Sequence, residues 1–455
     1  MKSAALHNLG CKVNAYELEI MQNALEEDGY NIVPFDEKAD IYVINTCSVT
    51  NIADRKSRQM LHKARTMNPN AIVVAAGCYV NTRGDEEVLN DDVDIVISNN
   101  DKKEIAHIID KYVAEHPIAE TIHAAEPLPV NTIEASATRR RSQLEGDHTR
   151  AFVKIQDGCE MFCSYCIIPY ARGVITSRPE EDIIAELTGL VAEGYHEFVL
   201  TGIHLSSYGV DRMPSDKNKS GHLNFAEFID GYRSGKIESP LVALIERLSK
   251  IEGIDRIRLG SLEPRIITEE FAKRLSAIPE ICPQFHLSLQ SGCDSVLRRM
   301  NRHYTSEEYL DGVNILRQYF GSPAITTDVI VGFPQETEAE FEETHEFLKR
   351  VNFYETHIFK YSRRQGTPAD KMDGQLTDAQ KHARSTVLLA LNAENKRKFA
   401  DSFVGRDVEV LFEENNEGYT KEYVRVKAVD KEYATGTIVK GRITGRLNDD
   451  IMIFE

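Results

Sequence analysis

Three cysteines stand in the stretch Asp157-Gly158-Cys159-Glu160-Met161-Phe162-Cys163-Ser164-Tyr165-Cys166, spaced C-x3-C-x2-C, directly after the apolar run 152–155. Three thiolates so placed can hold three corners of a cubane iron–sulfur cluster. No fourth cysteine completes the set nearby, so one iron stays open to a small molecule. Tyr165 offers an aromatic wall beside that iron. The other readings are a structural zinc site or buried free thiols. Zinc usually closes with four protein ligands, often in C-x2-C pairs.

A second set of three is scattered. Cys11, Cys47 and Cys78 each follow a strand-like run, at 4–9, 41–44 and 71–76, and a fourth run covers 93–97. Helical patterns lie at 15–28, 54–67 and 84–89. Such alternation predicts a doubly wound, mostly parallel sheet. Loops after its strands share one edge, where ligands collect at the switch point. Three cysteines far apart in sequence can therefore meet at one mouth. The alternative is that they are small buried residues, as free cysteines often are. After Cys47, Arg55, Arg58, His62 and Arg65 are spaced 3, 4 and 3 and share one helical face. That basic stripe suits either phosphate binding or plain solvation. The stretch 115–147, with Arg139-Arg140-Arg141, reads as a linker or strap.

From about 148 to 390 strands and helices alternate again, about six times, predicting a partial α/β barrel with its chemistry at the carboxyl ends of the strands. Those ends carry His204, Ser261 with Glu263, Gln290, and Phe333, while the fifth strand carries Asp328. Such groups suit an amino-acid carboxylate, an amine and a ribose, or serve as ordinary loop residues. The polar segment 212–239 reads as a surface insertion, and Cys282 and Cys293 as structural. From about 391 onward, short alternating strands predict a small OB-like barrel. Its 11 Lys/Arg against 12 Asp/Glu from Lys396 on do not announce RNA. Tyr419, Tyr423 and Arg425 are its candidates for stacking on bases or touching phosphate. The competing reading is a docking module.

With 455 residues the chain has room for two to four domains. A net charge of −18 argues against whole-surface nucleic-acid binding but permits local basic patches. No apolar run approaches a membrane span, and the start lacks a secretory h-region. Eight cysteines in such a chain suggest reduced thiols kept for metal or chemistry, hence the cytoplasm.

The C-x3-C-x2-C loop resembles the radical S-adenosylmethionine superfamily. Together with Leu9-Gly10-Cys11-Lys12-Val13-Asn14, Asn45-Thr46-Cys47, Gly77-Cys78, Leu289-Gln290-Ser291-Gly292 and Gly332-Phe333-Pro334, it resembles the methylthiotransferases over nearly the full length. Leu-Gly-Cys-Lys-Val-Asn and Ser261-Leu262-Glu263-Pro264 are similar to the branch acting on threonylcarbamoyladenosine beside the tRNA anticodon. The departures are the 212–239 insertion and a short, weakly basic tail.

That resemblance implies three domains: 1–140 with an auxiliary cluster, 141–390 as a radical-SAM (β/α)6 partial barrel, and 391–455 as an RNA-binding TRAM domain. It implies two 4Fe–4S clusters, one on Cys159, Cys163 and Cys166 and one on Cys11, Cys47 and Cys78. S-adenosylmethionine would be held near Tyr165, His204, Ser261, Glu263, Gln290, Asp328 and Phe333. Arg55, Arg58, Arg65, Tyr419 and Arg425 are the RNA candidates. Cofactor cleavage gives a radical that removes hydrogen from C2 of the modified adenine, extruded from its stack. The second cluster then delivers a methylthio group. An electron donor such as flavodoxin or ferredoxin and a sulfur donor are implied. Isopentenyladenosine in tRNA or a ribosomal protein are the alternative substrates. A metal-stabilised RNA-binding protein without activity is the alternative of another class.

Overall fold

The computed structural model describes residues 2–116, 149–215 and 221–455, so most of the expected linker, with its arginine triplet, lies outside the described residues. The chain divides into two compact units. One holds the described part of Met1–Asp147 with Cys166–Val174 and Arg363–Gly366, and the other holds the rest of the described chain.

The first unit runs β1 (Ser3–Asn8), α1 (Lys12–Glu27), β2 (Asn31–Val33), β3 (Ile41–Thr46), α2 (Asn51–Met67), β4 (Ile72–Gly77), α3 (Cys78–Arg83), α4 (Asp85–Val88), β5 (Ile95–Ile97) and α5 (Ile105–Glu115). Helix α6 (Ile168–Arg172) joins it from later in the chain. The five strands are parallel, in the order β2-β1-β3-β4-β5. β3 and β4 are buried along their whole length. That is why they read as continuous apolar runs, since helices cover both faces of such a sheet. Alternate residues serve opposite cores. Ile41 and Val43 pack with Leu18 and Met21 of α1 and Ile109 of α5. Tyr42 and Ile44 pack with Leu61 and Ala64 of α2. The strand order reverses between β1 and β3, which is the switch point.

In the second unit β6 (Arg150–Asp157), β7 (Thr176–Ser177), α7 (Glu180–Ala192), β8 (Glu197–Gly202), α8 (Phe225–Arg233), α9 (Pro240–Leu248) and β9 (Arg256–Leu259) are followed by α10 (Glu269–Ser276), β10 (Gln284–His286), α11 (Asp294–Arg299), α12 (Ser306–Phe320), β11 (Ala324–Val331), α13 (Glu338–Val351) and β12 (Glu355–Lys360). β6-β8-β9 and β10-β11-β12 are parallel, and isolated bridges Ile257–Ile281 and Leu262–Leu287 join the two halves. β7 adds an antiparallel edge to β6. This is a partial barrel of six parallel strands. Among the described residues no helix is long and apolar enough to cross a membrane.

The segment 212–239 is more than a polar surface insertion. It contains α8, capped by Asn224 and Glu227 in a reciprocal capping box, with Phe225, Phe228, Ile229 and Tyr232 buried on one face. Their spacing of three, one and three is that of an amphipathic helix, and the polar residues around it concealed it.

After α14 (Asp378–Asp401), β13 (Asp407–Phe412), β14 (Glu417–Thr420), β15 (Arg425–Ala428), β16 (Ile438–Arg446) and β17 (Met452–Phe454) close a five-stranded barrel around Val410, Phe412, Val426, Ile443 and Phe454. It docks on the amino-terminal ends of β6, β8 and β9. There Arg256 and Arg258 flank Glu197 and donate to the carbonyls of Tyr419, Thr420 and Lys421.

Candidate metal centres

In the first unit the three cysteines follow β1, β3 and β4, at the carboxyl edge of the sheet. The glycines before two of them allow the close approach. Gly10 has φ +122°, and a Cβ there would lie 3.1 Å from the Cys47 sulfur. Gly77 has φ +99°, and a Cβ there would lie 2.3 Å from the Thr46 carbonyl. Asn14 Nδ2 donates to the carbonyls of Leu9 (2.8 Å) and Thr46 (3.0 Å), tying the first two loops together. The hydroxyl of Ser57 on α2 accepts from the Cys47 N–H and donates to its carbonyl.

Burial first, and then the neighbouring Cys78 and Cys11, push the Cys47 thiol up to about 11. That rise favours the neutral thiol, and the positive irons of a cluster would reverse it. Three thiols brought to one sheet edge fit three corners of a 4Fe–4S cluster. Behind Cys78 lies a buried ionic group. Arg172 reaches Cys78, Glu17 and Asn14, and Lys102 pairs with Glu17 and donates to Asn45. Arg364 closes the far side of the Cys47 loop through Ser48 (2.6 Å) and Asp54 (2.9 Å).

In the second unit the loop that carries Cys159 and Cys163 leaves the end of β6. The turn after α11 clamps it. The Ser164 N–H donates to the Met300 carbonyl, the Ser164 hydroxyl to the Arg299 carbonyl, and Asn301 Nδ2 to the Phe162 carbonyl. Phe162 sits at φ +45°, a left-handed position that this clamp must hold. Burial first, with Cys163 adding to it, pushes the Cys159 thiol up to about 12. Arg302 Nη1 donates to the Cys163 sulfur at 3.2 Å. Three cysteines in one loop, with a guanidinium on one sulfur, again suit cluster iron. Sequence reasoning missed Arg172 and Arg302, and it noted Arg364 only as a polar residue at the end of the sixth strand of the partial barrel. Arg172 ends α6 and the other two lie in loops, and the partner of each is 94 to 316 residues away.

The remaining candidates differ in what they face. Tyr165 packs against Cys293, Met300, Phe333 and Tyr361. Phe333 is fully buried, edge-on to Tyr361 at 5.4 Å, in the apolar cluster against which Tyr165 packs. His204 stands edge-on to Phe225 of α8 at 4.4 Å, and its Nε2 is shut from solvent without a hydrogen bond. Burial first, then Arg302 and Arg265, hold its pKa down at about 3, so it is a neutral imidazole. Glu263 is buried and accepts from the Arg265 backbone and side chain. Ser261 is exposed. Gln290 takes a left-handed φ of +73° and donates its N–H to the Asp328 carbonyl. Asp328 lies 3.3 Å from His286 and opposite His357 on β12.

Of the basic stripe, Arg55 and Arg58 are exposed. Arg65 is not available in the same way: it is bound to Asp94 (2.5 Å) and to the Asp91, Pro69 and Ala71 carbonyls. Tyr419 is likewise committed. It stacks on Tyr423 at 4.6 Å under Arg150, inside the docked face of the small barrel. Arg425 is largely exposed and paired with Glu417.

Residues 153–348 match the Radical SAM superfamily, and residues 3–98 match a family described as Uncharacterized protein family UPF0004. A Bacillus subtilis protein named threonylcarbamoyladenosine tRNA methylthiotransferase MtaB is 38% identical, over 97% of this chain and 94% of its own. The chain belongs to the radical S-adenosylmethionine methylthiotransferases. An Aquifex aeolicus relative of the same name is 36% identical, over 93% of this chain and 96% of its own. A tRNA-2-methylthio-N(6)-dimethylallyladenosine synthase of Clostridium botulinum is 33% identical, over 89% and 84%. Among solved structures, this methylthiotransferase has the fold of the radical S-adenosylmethionine methyltransferase TsrM from Kitasatospora setae. The TM-score is 0.53 at 16% identity, over 81% of this chain and 74% of that one.

Proposed function

We propose that this protein adds a methylthio group to C2 of threonylcarbamoyladenosine beside the anticodon of tRNA. The observation that carries the reading is the pair of three-cysteine sets, both at carboxyl ends of parallel strands, in a chain 38% identical over 97% of its length to a relative named for that reaction. The working division is 1–140 for the auxiliary-cluster domain, 141–390 for the radical domain and 391–455 for TRAM.

When bound, S-adenosylmethionine and two 4Fe–4S clusters supply the radical and the sulfur that no side chain can bring to an unactivated aromatic C–H. The protein binds and orients. Cys159, Cys163 and Cys166 hold one cluster, and Cys11, Cys47 and Cys78 hold the other. Tyr165, steadied by Phe333, walls the cofactor. His204 offers a neutral ring nitrogen to it. Glu263 and Asp328 offer carboxylates to an ammonium or ribose hydroxyls, and Ser261 and Gln290 lie at adjoining strand ends. Arg55, Arg58 and Arg425 are the exposed groups for tRNA phosphate. A flavodoxin or ferredoxin supplies electrons, in the cytoplasm.

Mass spectrometry of tRNA nucleosides from a deletion strain tests this. The methylthio form of threonylcarbamoyladenosine should vanish, leaving the unmethylthiolated nucleoside, while methylthio-isopentenyladenosine persists. Loss of the latter instead, or of a methylthio group from a ribosomal protein, overturns the substrate. Tight tRNA binding without 5′-deoxyadenosine formation under reductant overturns the enzyme.

A further inference from the structure

Arg172 is fully buried in the first unit. A buried guanidinium is costly unless every direction of its fork is used. Its Nη1 donates to Glu17 Oε1 at 2.6 Å, and its Nη2 to Asn14 Oδ1 at 2.6 Å and Glu17 Oε2 at 3.1 Å. This two-point grip fixes the guanidinium plane and leaves Nε aimed at the Cys78 sulfur, 3.4 Å away. The backbone is held as firmly. Asn81 and Asn99 both donate side-chain N–H groups to the Ala171 carbonyl, at 2.9 and 3.1 Å.

The neighbouring ion pairs point the same way. Glu17 already pairs with the buried Lys102. Glu17 thus holds two buried cations, one of which also reaches Cys78. A thiol is a poor acceptor for it, whereas the sulfur of a cluster ligand is a good one.

We infer that Arg172 is a positioning residue for the sulfur-carrying cluster, donating to the ligand Cys78 and raising that cluster's potential through a hydrogen bond and the positive charge of its guanidinium. Charge and hydrogen bonds to sulfur are the levers that set such potentials. Arg172 lies six residues after Cys166. The segment leaving one cysteine set therefore steadies the other. The inference rests on the reading of Cys11, Cys47 and Cys78 as cluster ligands.

The test uses the full chain, anaerobically reconstituted, with Cys159, Cys163 and Cys166 all changed to Ala so that only the auxiliary cluster remains. Iron analysis comes first. Failure to hold about four irons, one cubane's worth, overturns the ligand reading itself, whatever Arg172 does. Redox titration followed by electron paramagnetic resonance comes second. Arg172→Gln should make reduction at least tenfold less favourable, about 59 mV for one electron. Arg172→Lys, which keeps the charge but not the fork, should fall between. In the reciprocal background, with Cys11, Cys47 and Cys78 changed to Ala, Arg172→Gln should leave the midpoint in place. An unchanged auxiliary midpoint in the loaded Gln variant overturns the inference. If the Gln variant loses its iron while its thermal melt is retained, positioning is supported. If the melt collapses, the Lys variant decides: a lowered midpoint supports the inference, and a wild-type midpoint or a second collapse overturns it.

Discussion

Cys47 and Cys163 separate the two halves of the chemistry at the scale of single residues. Cys47→Ala should abolish methylthio product while S-adenosylmethionine cleavage to 5′-deoxyadenosine persists. Cys163→Ala should abolish both. Mass spectrometry of tRNA nucleosides and of 5′-deoxyadenosine reads the two outcomes, and the reverse pattern would contradict the roles. His204 gives a pH-dependent expectation. Its ordinary value of 6.5 falls to about 3 in the fold. The unfolded chain therefore binds the proton first as pH falls. Stability due to neutral His204 is complete above pH 6.5 and drains away toward about 3. A His204→Asn variant should lose less stability than wild type over that window in urea melts. The cysteines were legible because their spacing and strand-end placement are local facts. Arg302 was not, because its sulfur partner lies 139 residues earlier.

Helices α11 and α13 act together on the cluster loop. Glu340 stands in the first turn of α13, closes a capping box with Thr337, and grips Arg299 at 2.8 and 2.9 Å. Arg299 in turn sits in the segment that clamps Ser164. The Arg299 hydrogen bonds, more than any other cause, hold the Glu340 carboxyl down at about 2. Its contribution is present above the ordinary 4.5 and is lost as pH falls through about 2. Glu340→Gln should cost about 2 kcal/mol, the scale of a hydrogen bond to a charged group. It should also hasten iron release from the Cys159–Cys166 loop, read by melting and by chelator kinetics. Element existence was legible wherever the period was clean, as in α1 and α2. α8 was not recognised in the 212–239 segment, although its apolar spacing and its Asn-x-x-Glu cap were both present.

The docking of the small barrel belongs to the whole second unit. Glu197 is buried against Arg256 and Arg258, with Arg150 at 4.0 Å. Arg258 first, then Arg256 and Arg150, outweigh burial and keep its carboxyl below the usual range. Its stabilising charge is therefore present above 4.5 and lost on acidification below it. Glu197→Ala takes from the buried Arg258 the carboxylate it pairs with and should cost about 3–5 kcal/mol. Limited proteolysis should then cut between α14 and β13. Tyr423→Ala, which removes the ring under Arg258 and the hydroxyl at 2.6 Å from Arg150, should do so more mildly.

What the sequence determined alone was the chemistry and the class of fold. C-x3-C-x2-C and the three strand-end cysteines follow from spacing, and strand–helix alternation follows from local apolar periodicity. What only the tertiary structure decided was which charged groups surround the cysteines and which candidates are spoken for. Phe333, Arg65 and Tyr419 had the right residue types for a ligand site, yet packing and ion pairs turn each of them to the protein itself. Arg172 shows the converse. Nothing local in Tyr170-Ala171-Arg172-Gly173 marks it, and only folding brings it to Cys78, because a buried charge is placed by partners distant along the chain.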